Sequence, residues 1–334
     1  MVASSRVTIK DVAKRAGVSI ASVSRYINKS FQVGKNKRLK IEEAIKELNY
    51  RPSLYARRLA GGKLNTFGLI IPGYEGIFYS YYALSIIREV ASALDNAGID
   101  LHLNIYRKKD LFNPSLVDGV IVADIVSNQE QVSRLIKEDV PLVVINRRVS
   151  DSGVSFVAVD NYKGAYEAVE FLINHGHKKI AHLAGDLKVQ CAQDRLGGYK
   201  DAFSKNGLKV NDKYVGVTNF SRIQAREELE KMFSSKEPPT AFFCCSDEVA
   251  SEVISFGEEN SIKIPEKLSV IGFDDNPNCL HSGLMLTTVR QPFARMAQEA
   301  VKILQEKTAK ETPPKRLTLE SKLIIRDTVS FLKK

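Results

Sequence analysis

From Thr8 onward, apolar positions recur at helical spacing. Ile9, Val12, Ala13 and Ala16 share one face of a short helix, Thr8 and Asp11 are spaced as a capping box, and Gly17 is its stop. Ser19 is placed to cap a second helix, in which Val23 and Ile27 turn inward while Ala21, Ser24, Arg25 and Asn28 turn outward. Two short helices joined at Gly17-Val18 make a helix-turn-helix. A third helix is predicted over about 35–48, with Ile41, Ala44, Ile45 and Leu48 as its buried stripe. Pro52 closes it, and Ser53 can cap a segment over 54–60 that ends at Gly61-Gly62. A helix that short frays in water unless a partner stabilises it, which suits an order–disorder switch.

After Lys63 apolar runs alternate with amphipathic stretches. Strands are predicted over 67–71, 101–105, 117–122 and 142–145, with helices over 81–97 and 129–137 between them. The rhythm starts afresh after Asp160. Helices are predicted over 164–174, 196–206, 225–233 and 247–260, and strands over 180–183, 215–217, 241–245 and 268–273. Such alternation predicts parallel sheets, and two similar halves predict two lobes facing a cleft. Ligands of open parallel sheets bind beyond the strands' carboxyl ends.

The 334 residues, 44% hydrophobic, are enough for two or three domains. The net charge of +10 matters for where it sits. Residues 1–63 carry 15 Lys+Arg against 4 Asp+Glu, leaving 34 against 35 for the rest of the chain. The whole positive excess therefore lies in the first fifth, over the three helices, where it is an electrostatic footprint for a polyanion. The second helix presents short side chains and one guanidinium, so it can enter a major groove and let Arg25 reach a guanine edge or a phosphate. A helical hairpin with a merely solvated basic face is the bland alternative; the charge segregation argues against it.

No hydrophobic run of signal-peptide type follows the N-terminus, and nowhere are there 18 consecutive apolar residues, so a cytoplasmic protein without a membrane span is expected. Cys191, Cys244, Cys245 and Cys279 lack metal-ligand spacing and read as small apolar residues. His175, His177 and His182 belong to a helix–strand turn and a strand, so no metal or cofactor is expected. Neither a phosphate-cradling Gly-rich loop nor a nucleophile elbow is found, which argues against an enzyme.

The run Thr8-Ile9-Lys10-Asp11-Val12-Ala13-Lys14-Arg15-Ala16-Gly17-Val18-Ser19, followed by Ala21-Ser22-Val23-Ser24-Arg25, resembles the headpiece of the lactose-repressor (LacI/GalR) family of transcriptional regulators. The resemblance places Ile20, Ala21 and Arg25 at base-reading positions and the hydroxyls of Ser19 and Ser24 on phosphates. Ile20 lies at the edge of the apolar stripe, where packing and base contact are both open. Thr8, Asn28, Lys37 and Arg38 complete the expected DNA-contacting set of the head. Gly34 stands where a Ser or Thr cap is usual and Lys37 where Thr is common, with Lys35, Lys37 and Arg38 available to hold phosphates instead. Ala56-Arg57-Arg58-Leu59-Ala60-Gly61 resembles the family's hinge helix, which enters the minor groove. Ala56 and Leu59 are its contacts, Leu59 as the wedge between base pairs.

The resemblance continues through Phe67-Gly68-Leu69-Ile70-Ile71-Pro72, Val159-Asp160-Asn161, Gly176-His177-Lys178-Lys179-Ile180-Ala181 and Val270-Ile271-Gly272-Phe273-Asp274-Asp275. It implies an α helix-turn-helix headpiece joined to an α/β two-lobed periplasmic-binding-protein-like core of type I. It places an effector among Asp160, Arg195, Phe220, Ser246, Asp274 and Phe293, with Phe78 and Tyr79 on the opposite wall. Asp274 and Arg195 can hydrogen-bond vicinal hydroxyls or a carboxylate, and Phe220 can stack on a sugar or base. Each of these residues alone also has a structural reading, Asp274 as a loop cap and Phe220 as core. Three features depart from the family: residues 104–118 are short enough to lose a helix, Ser246 replaces a usual Asn, and 73–77 lacks the common Asn-Pro turn.

These readings predict a head over 1–52, a hinge over 53–63 and a core over 64–334. One lobe takes 64–160 and 292–322, and the other takes 161–290 and 323–334. The expected function is that of a homodimeric regulator, a repressor, on a pseudo-palindromic double-stranded DNA operator. A small effector such as a sugar or a nucleoside or purine controls it. A regulator governed by a protein corepressor, or by nothing, is the alternative, and a solute-binding protein a remote one.

Overall fold

Three short helices open the chain: α1 (Ile9–Ala16), α2 (Ile20–Ile27) and α3 (Lys35–Glu47). The computed structural model describes residues 7–27, 33–50, 63–73, 77–106, 112–123, 129–151, 153–277, 280–281 and 283–332. At the start of α1 the Thr8 amide and hydroxyl both donate to Asp11 Oδ2, at 2.8 and 2.7 Å. These bonds satisfy an orphan donor and hold the Asp11 carboxyl below its usual range. Gly17 ends α1 at φ 64°, a left-handed conformation that costs glycine nothing. The three helices share a core of Val12, Ala13, Ala16, Val23, Val33, Ile41, Ala44 and Tyr50. Arg15–Glu47 (2.6 Å) and Tyr26–Glu42 (2.9 Å) tie α3 to its neighbours across the surface.

The rest of the described chain builds two six-stranded sheets. The first is ordered β13-β5-β4-β3-β1-β2 and contains β1 (Thr66–Pro72), β2 (Asp100–Tyr106), β3 (Gly119–Ala123), β4 (Leu142–Ile145), β5 (Ser155–Val159) and β13 (Arg316–Leu319). Every pairing in it is parallel. The second is ordered β14-β12-β9-β8-β6-β7, from β6 (Ile180–Ala184), β7 (Val215–Val217), β8 (Ala241–Cys244), β9 (Ser269–Asp274), β12 (Thr287–Arg290) and β14 (Lys322–Ile324). Only β14 runs antiparallel to its neighbour among these described strands. A small hairpin, β10 (Leu280–His281) and β11 (Leu284–Met285), precedes β12.

Apolar side chains cover both faces of each sheet, as continuous hydrophobic strands require. On the first sheet α4 (Tyr81–Asn96) and α10 (Phe293–Ala309) cover one face and α5 (Gln129–Lys137) the other. On the second sheet α6 (Asn161–Asn174) and α7 (Gln190–Lys205) lie opposite α8 (Arg222–Phe233) and α9 (Asp247–Glu259). Glycine lets α6 and α7 meet closely: a Cβ on Gly198 would overlap the Tyr162 carbonyl and sit 2.8 Å from the Tyr166 amide nitrogen. The chain passes between lobes at 160, at 291–292 and at 320–321, because β5, β12 and β13 each feed an element of the other lobe.

The predicted fold class is the one observed. Two details differ from the periodicity. Helix α7 begins at Gln190, six residues before the predicted start, because Cys191 and Ala192 already face the core. The periodic reading did not resolve α10 and the strands after 287. Between β2 and β3 the described residues hold only a 3-10 turn, Pro114–Leu116. Phe112 fills the space of a covering helix: it is 1% exposed, and its ring would lie 2.9 Å from a Cβ on Gly68 of β1.

Candidate nucleic-acid interface and effector cleft

On the head, Ser19 accepts from the Ser22 amide (3.2 Å) and starts α2, so this helix presents Ser19, Ile20, Ala21 and Arg25 to solvent. Ile20 is 45% exposed, so it projects from the core rather than packing into it. A groove of about 500 Å³ opens between α2 and the start of α3, lined by Ser22, Arg25, Gly34, Lys35, Asn36 and Lys37. Gly34 has no side chain with which to cap α3, and Lys35, Lys37 and Arg38 are exposed around that helix start. Backbone N–H groups and three cations at one place suit a phosphate. Ser24 is half-buried, and Thr8 commits its hydroxyl to Asp11. Asn28, Ala56 and Leu59 lie outside the described residues.

In the core, the ends of β5, β6, β8 and β9 converge on one region between the lobes. Asp160 and Ser246 lie just beyond β5 and β8, where their side-chain oxygens cap α6 and α9 by accepting from Lys163 N (2.9 Å) and Val249 N (3.3 Å). Arg195 rises from α7, 3% exposed, with its guanidinium 3.6 Å from the ring centroid of Phe273. It donates twice to Asn161 Oδ1 (3.0 and 2.8 Å) and once to the Cys245 carbonyl. Asp274 ends β9 at φ 122°, a strained backbone for a side chain that must point inward. It is 5% exposed and accepts from Gln291 Nε2. Burial pushes its carboxyl well above the usual range, against the pull of nearby Arg195.

The neighbouring carboxylates are handled differently. Asp247 is fully buried, accepts from Thr288 Oγ1 (2.5 Å) and the Asn276 amide (2.6 Å), and is pushed up by burial to about 7. Burial also works against Asp275, but hydrogen bonds from Arg290 and Arg326, both 2.5 Å, outweigh it and hold that carboxyl below its usual range. Phe220, at φ 60°, lies so close over Gly185 that a Cβ there would overlap its ring. Phe293 is buried at the start of α10, with the ring centroids of Tyr81 and Tyr82 6.1 and 5.8 Å from its own in edge-to-face arrangements. Phe78 and Tyr79 are 58% and 89% exposed; the structure does not bring them against the buried group.

The head and the core each match a known family. Residues 8–53 match the family of bacterial regulatory proteins named lacI, and residues 169–329 match a periplasmic binding protein-like domain. Catabolite control protein A of Priestia megaterium is 34% identical over 313 residues, covering 92% of this chain and 94% of that protein. The chain belongs to the lacI family. The HTH-type transcriptional repressor PurR of Vibrio campbellii is 32% identical over 337 residues, covering 97% and 99%. Among solved structures, a complex of the transcriptional regulator CelR with cellobiose superimposes with TM-score 0.74 at 27% identity over 97% of this chain and 100% of that one. A lac repressor dimer bound to operator and the anti-inducer ONPF gives TM-score 0.84 at 24% identity, covering 97% and 99%, and supports the fold. This member of the lacI family is a DNA-binding transcription regulator.

Sequence reasoning passed over several buried groups of this lacI-family core. Asn146, 6% exposed and at φ 61° beyond β4, has a buried Oδ1 without a hydrogen-bond partner. Gln291 likewise leaves Oε1 unpartnered. Asn161 and Tyr81 are structural partners of the site. Neither Asn146 nor Gln291 had a distinguishing local signal: Asn146 follows the apolar run 142–145 as many loop residues do, and Gln291 follows Thr287-Thr288-Val289-Arg290, which is no apolar run. The histidines gather no metal site, since among the described residues no group of three or more ligating side chains occurs. His182 instead stacks between Tyr199 and Phe243 and donates from Nδ1 to the Phe243 carbonyl at 2.9 Å, and burial pushes it down to about 4.

Asp247 gives the core a signed dependence on pH. Its folded pKa of about 7 lies above the ordinary 3.8, so its contribution to stability is complete below about 3.8 and is lost as pH rises through about 7. Melting temperatures of wild type and Asp247→Asn, compared from pH 5 to pH 8, should diverge in favour of the variant as pH rises. A difference independent of pH would contradict the assignment.

Proposed function

We propose that the protein is a homodimeric, cytoplasmic repressor with no catalytic activity. Each head takes one half-site of a pseudo-palindromic operator, and a sugar or a nucleoside or purine in the cleft controls that binding. The proposed divisions are a head to residue 52, a hinge over 53–63 and the two-lobed core beyond. The observation that carries the effector reading is the strained, buried Asp274, hydrogen-bonded to Gln291, whose own Oε1, like Asn146 Oδ1 beyond β4, is buried without a partner. Buried polar atoms are rarely left unsatisfied, and hydroxyl or N–H donors of a ligand would satisfy these. A relative solved with cellobiose and a relative named as a repressor support a sugar and the repressing role. Among the described residues no helix is long and apolar enough to cross a membrane.

In this reading Asp160, Arg195, Phe220, Ser246, Asp274 and Phe293 border the effector, with Phe78 and Tyr79 at the outer rim. On the head Thr8, Ser19, Ile20, Ala21, Ser24, Arg25, Asn28, Lys37 and Arg38 face DNA, with Ala56 and Leu59 in the minor groove.

A thermal-shift screen with cellobiose, other sugars, nucleosides and purines should raise the melting temperature for at least one compound, and Asp274→Ala should abolish that rise. Hits indifferent to Asp274→Ala would place the effector elsewhere, and no hits at all would favour control by a protein partner. For the head, Arg25→Ala should weaken operator binding by about 1–3 kcal/mol while leaving non-specific binding nearly unchanged. Equal loss on operator and random duplex, measured by fluorescence anisotropy, would make Arg25 a phosphate contact only.

A further inference from the structure

Two polar contacts join the lobes beside the cleft, and both use residues next to its lining. Arg148 follows Asn146 by two residues in the loop after β4, and Asp194 immediately precedes Arg195 on α7. Arg148 Nη2 lies 2.7 Å from both oxygens of Asp194. The Arg148 amide donates to Gln190 Oε1 (2.8 Å), and Gln190 Nε2 donates back to the Arg148 carbonyl (3.3 Å). Gln190 thus clasps the backbone of the other lobe with both ends of its amide. The second contact runs from Tyr81 of the first lobe. Its amide donates to Glu248 Oε1 (3.1 Å) and its hydroxyl to the Asp275 carbonyl (3.4 Å), one residue from Asp274.

We propose that Arg148, Gln190 and Asp194 form an interlobe latch that holds the effector cleft closed before any effector binds. The inference rests on the cleft being the effector site. Three features separate a latch from an incidental surface pair. The Asp194 side chain is 17% exposed against 39% for Arg148, so the pair is partly desolvated, and burial raises the Asp194 carboxyl while Arg148 opposes that rise. Backbone atoms of one lobe are engaged as well as side chains, so the contact fixes the loop and not merely a flexible arginine. Asp194 and Arg195 are successive residues of one helix, so a shift of α7 that loosens Arg195 from Asn161 also moves Asp194 away from Arg148.

The consequence for regulation follows from linkage. A ligand shifts the equilibrium between open and closed lobes only by its difference in affinity for the two. With the latch already favouring closure, an effector that fits the closed cleft has little left to add, and one that is too large must work against the latch. Weakening the latch therefore widens the response to the first kind of effector and eases the second.

The Arg148 amide reads the latch directly, because its hydrogen bond to Gln190 crosses the cleft. Hydrogen–deuterium exchange of the intact protein without effector should show this segment protected. Asp194→Asn and Gln190→Ala should each speed its exchange, by about tenfold if one charge-assisted contact of ordinary strength is lost. The double variant Arg148→Asp/Asp194→Arg should recover part of the protection lost in Arg148→Asp. Exchange of β6 serves as the control for unfolding and should not change. Unchanged exchange at Arg148 in both single variants, or equal acceleration in β6, would overturn the latch. Because the measurement uses no effector, a failed compound screen with intact protection would sink the effector reading and leave the latch standing.

Discussion

All strands of a parallel run end on the same edge, and in this core two such edges face each other across three chain crossings. That constraint generates the rest. Side chains placed just beyond β4, β5, β8 and β9 have no further strand to pack into, so Asn146, Asp160, Ser246 and Asp274 converge between the lobes. Two of them are used at once as caps of the following helices. Of the other two, Asn146 keeps a buried Oδ1 that the fold itself does not satisfy, and Asp274 accepts only from the amide of Gln291 among the described contacts.

Charge is then distributed by burial and by cations. Asp275 is anchored by Arg290, beside one of the interlobe crossings, and by Arg326, just beyond β14, and stays ionised. Asp274, one residue earlier, is buried with a neutral amide as its hydrogen-bond partner and resists ionisation. Adjacent residues thus divide two tasks: one fixes the loop to the hinge strands, and the other presents a carboxyl to the cleft. Arg195 does not form an ion pair with either; it is spent partly on Asn161 and the Cys245 carbonyl and partly on the face of Phe273. A site of this kind is poised for a polar molecule that brings its own donors and acceptors.

Much of the molecule was legible in the sequence. The head was readable because each helix carries its own punctuation: Thr8 and Asp11 at one end, Gly17 at the other, Ser19 before α2. The lobes were readable because buried parallel strands are continuous apolar runs. What escaped has physical causes. Helix α7 starts with Gln190 and Cys191, which give no strong stripe, and Val189 is no capping residue. Strands β12, β13 and β14 are short, and β13 and β14 are half-exposed, so alternation is faint. Asn146 and Gln291 announce themselves only by their depth, which no local pattern encodes. Phe78 and Tyr79 fit the motif position, yet Tyr81 and Tyr82 make the contact with Phe293 because the turn at Ile77–Tyr79 carries the earlier pair outward.

In the proposed function head and cleft are two ends of one equilibrium: lobe position sets how the paired heads meet the operator. Linkage then demands reciprocity, since whatever factor an effector applies to operator affinity the operator must apply to effector affinity. The most direct measurement is a pair of titrations of one compound bound in the cleft, by calorimetry, with the dimer free and with the dimer saturated by operator. The account predicts that the two dissociation constants differ by the same factor that the compound imposes on operator binding. Equal constants, with operator affinity nonetheless changed by the compound acting elsewhere, would contradict it.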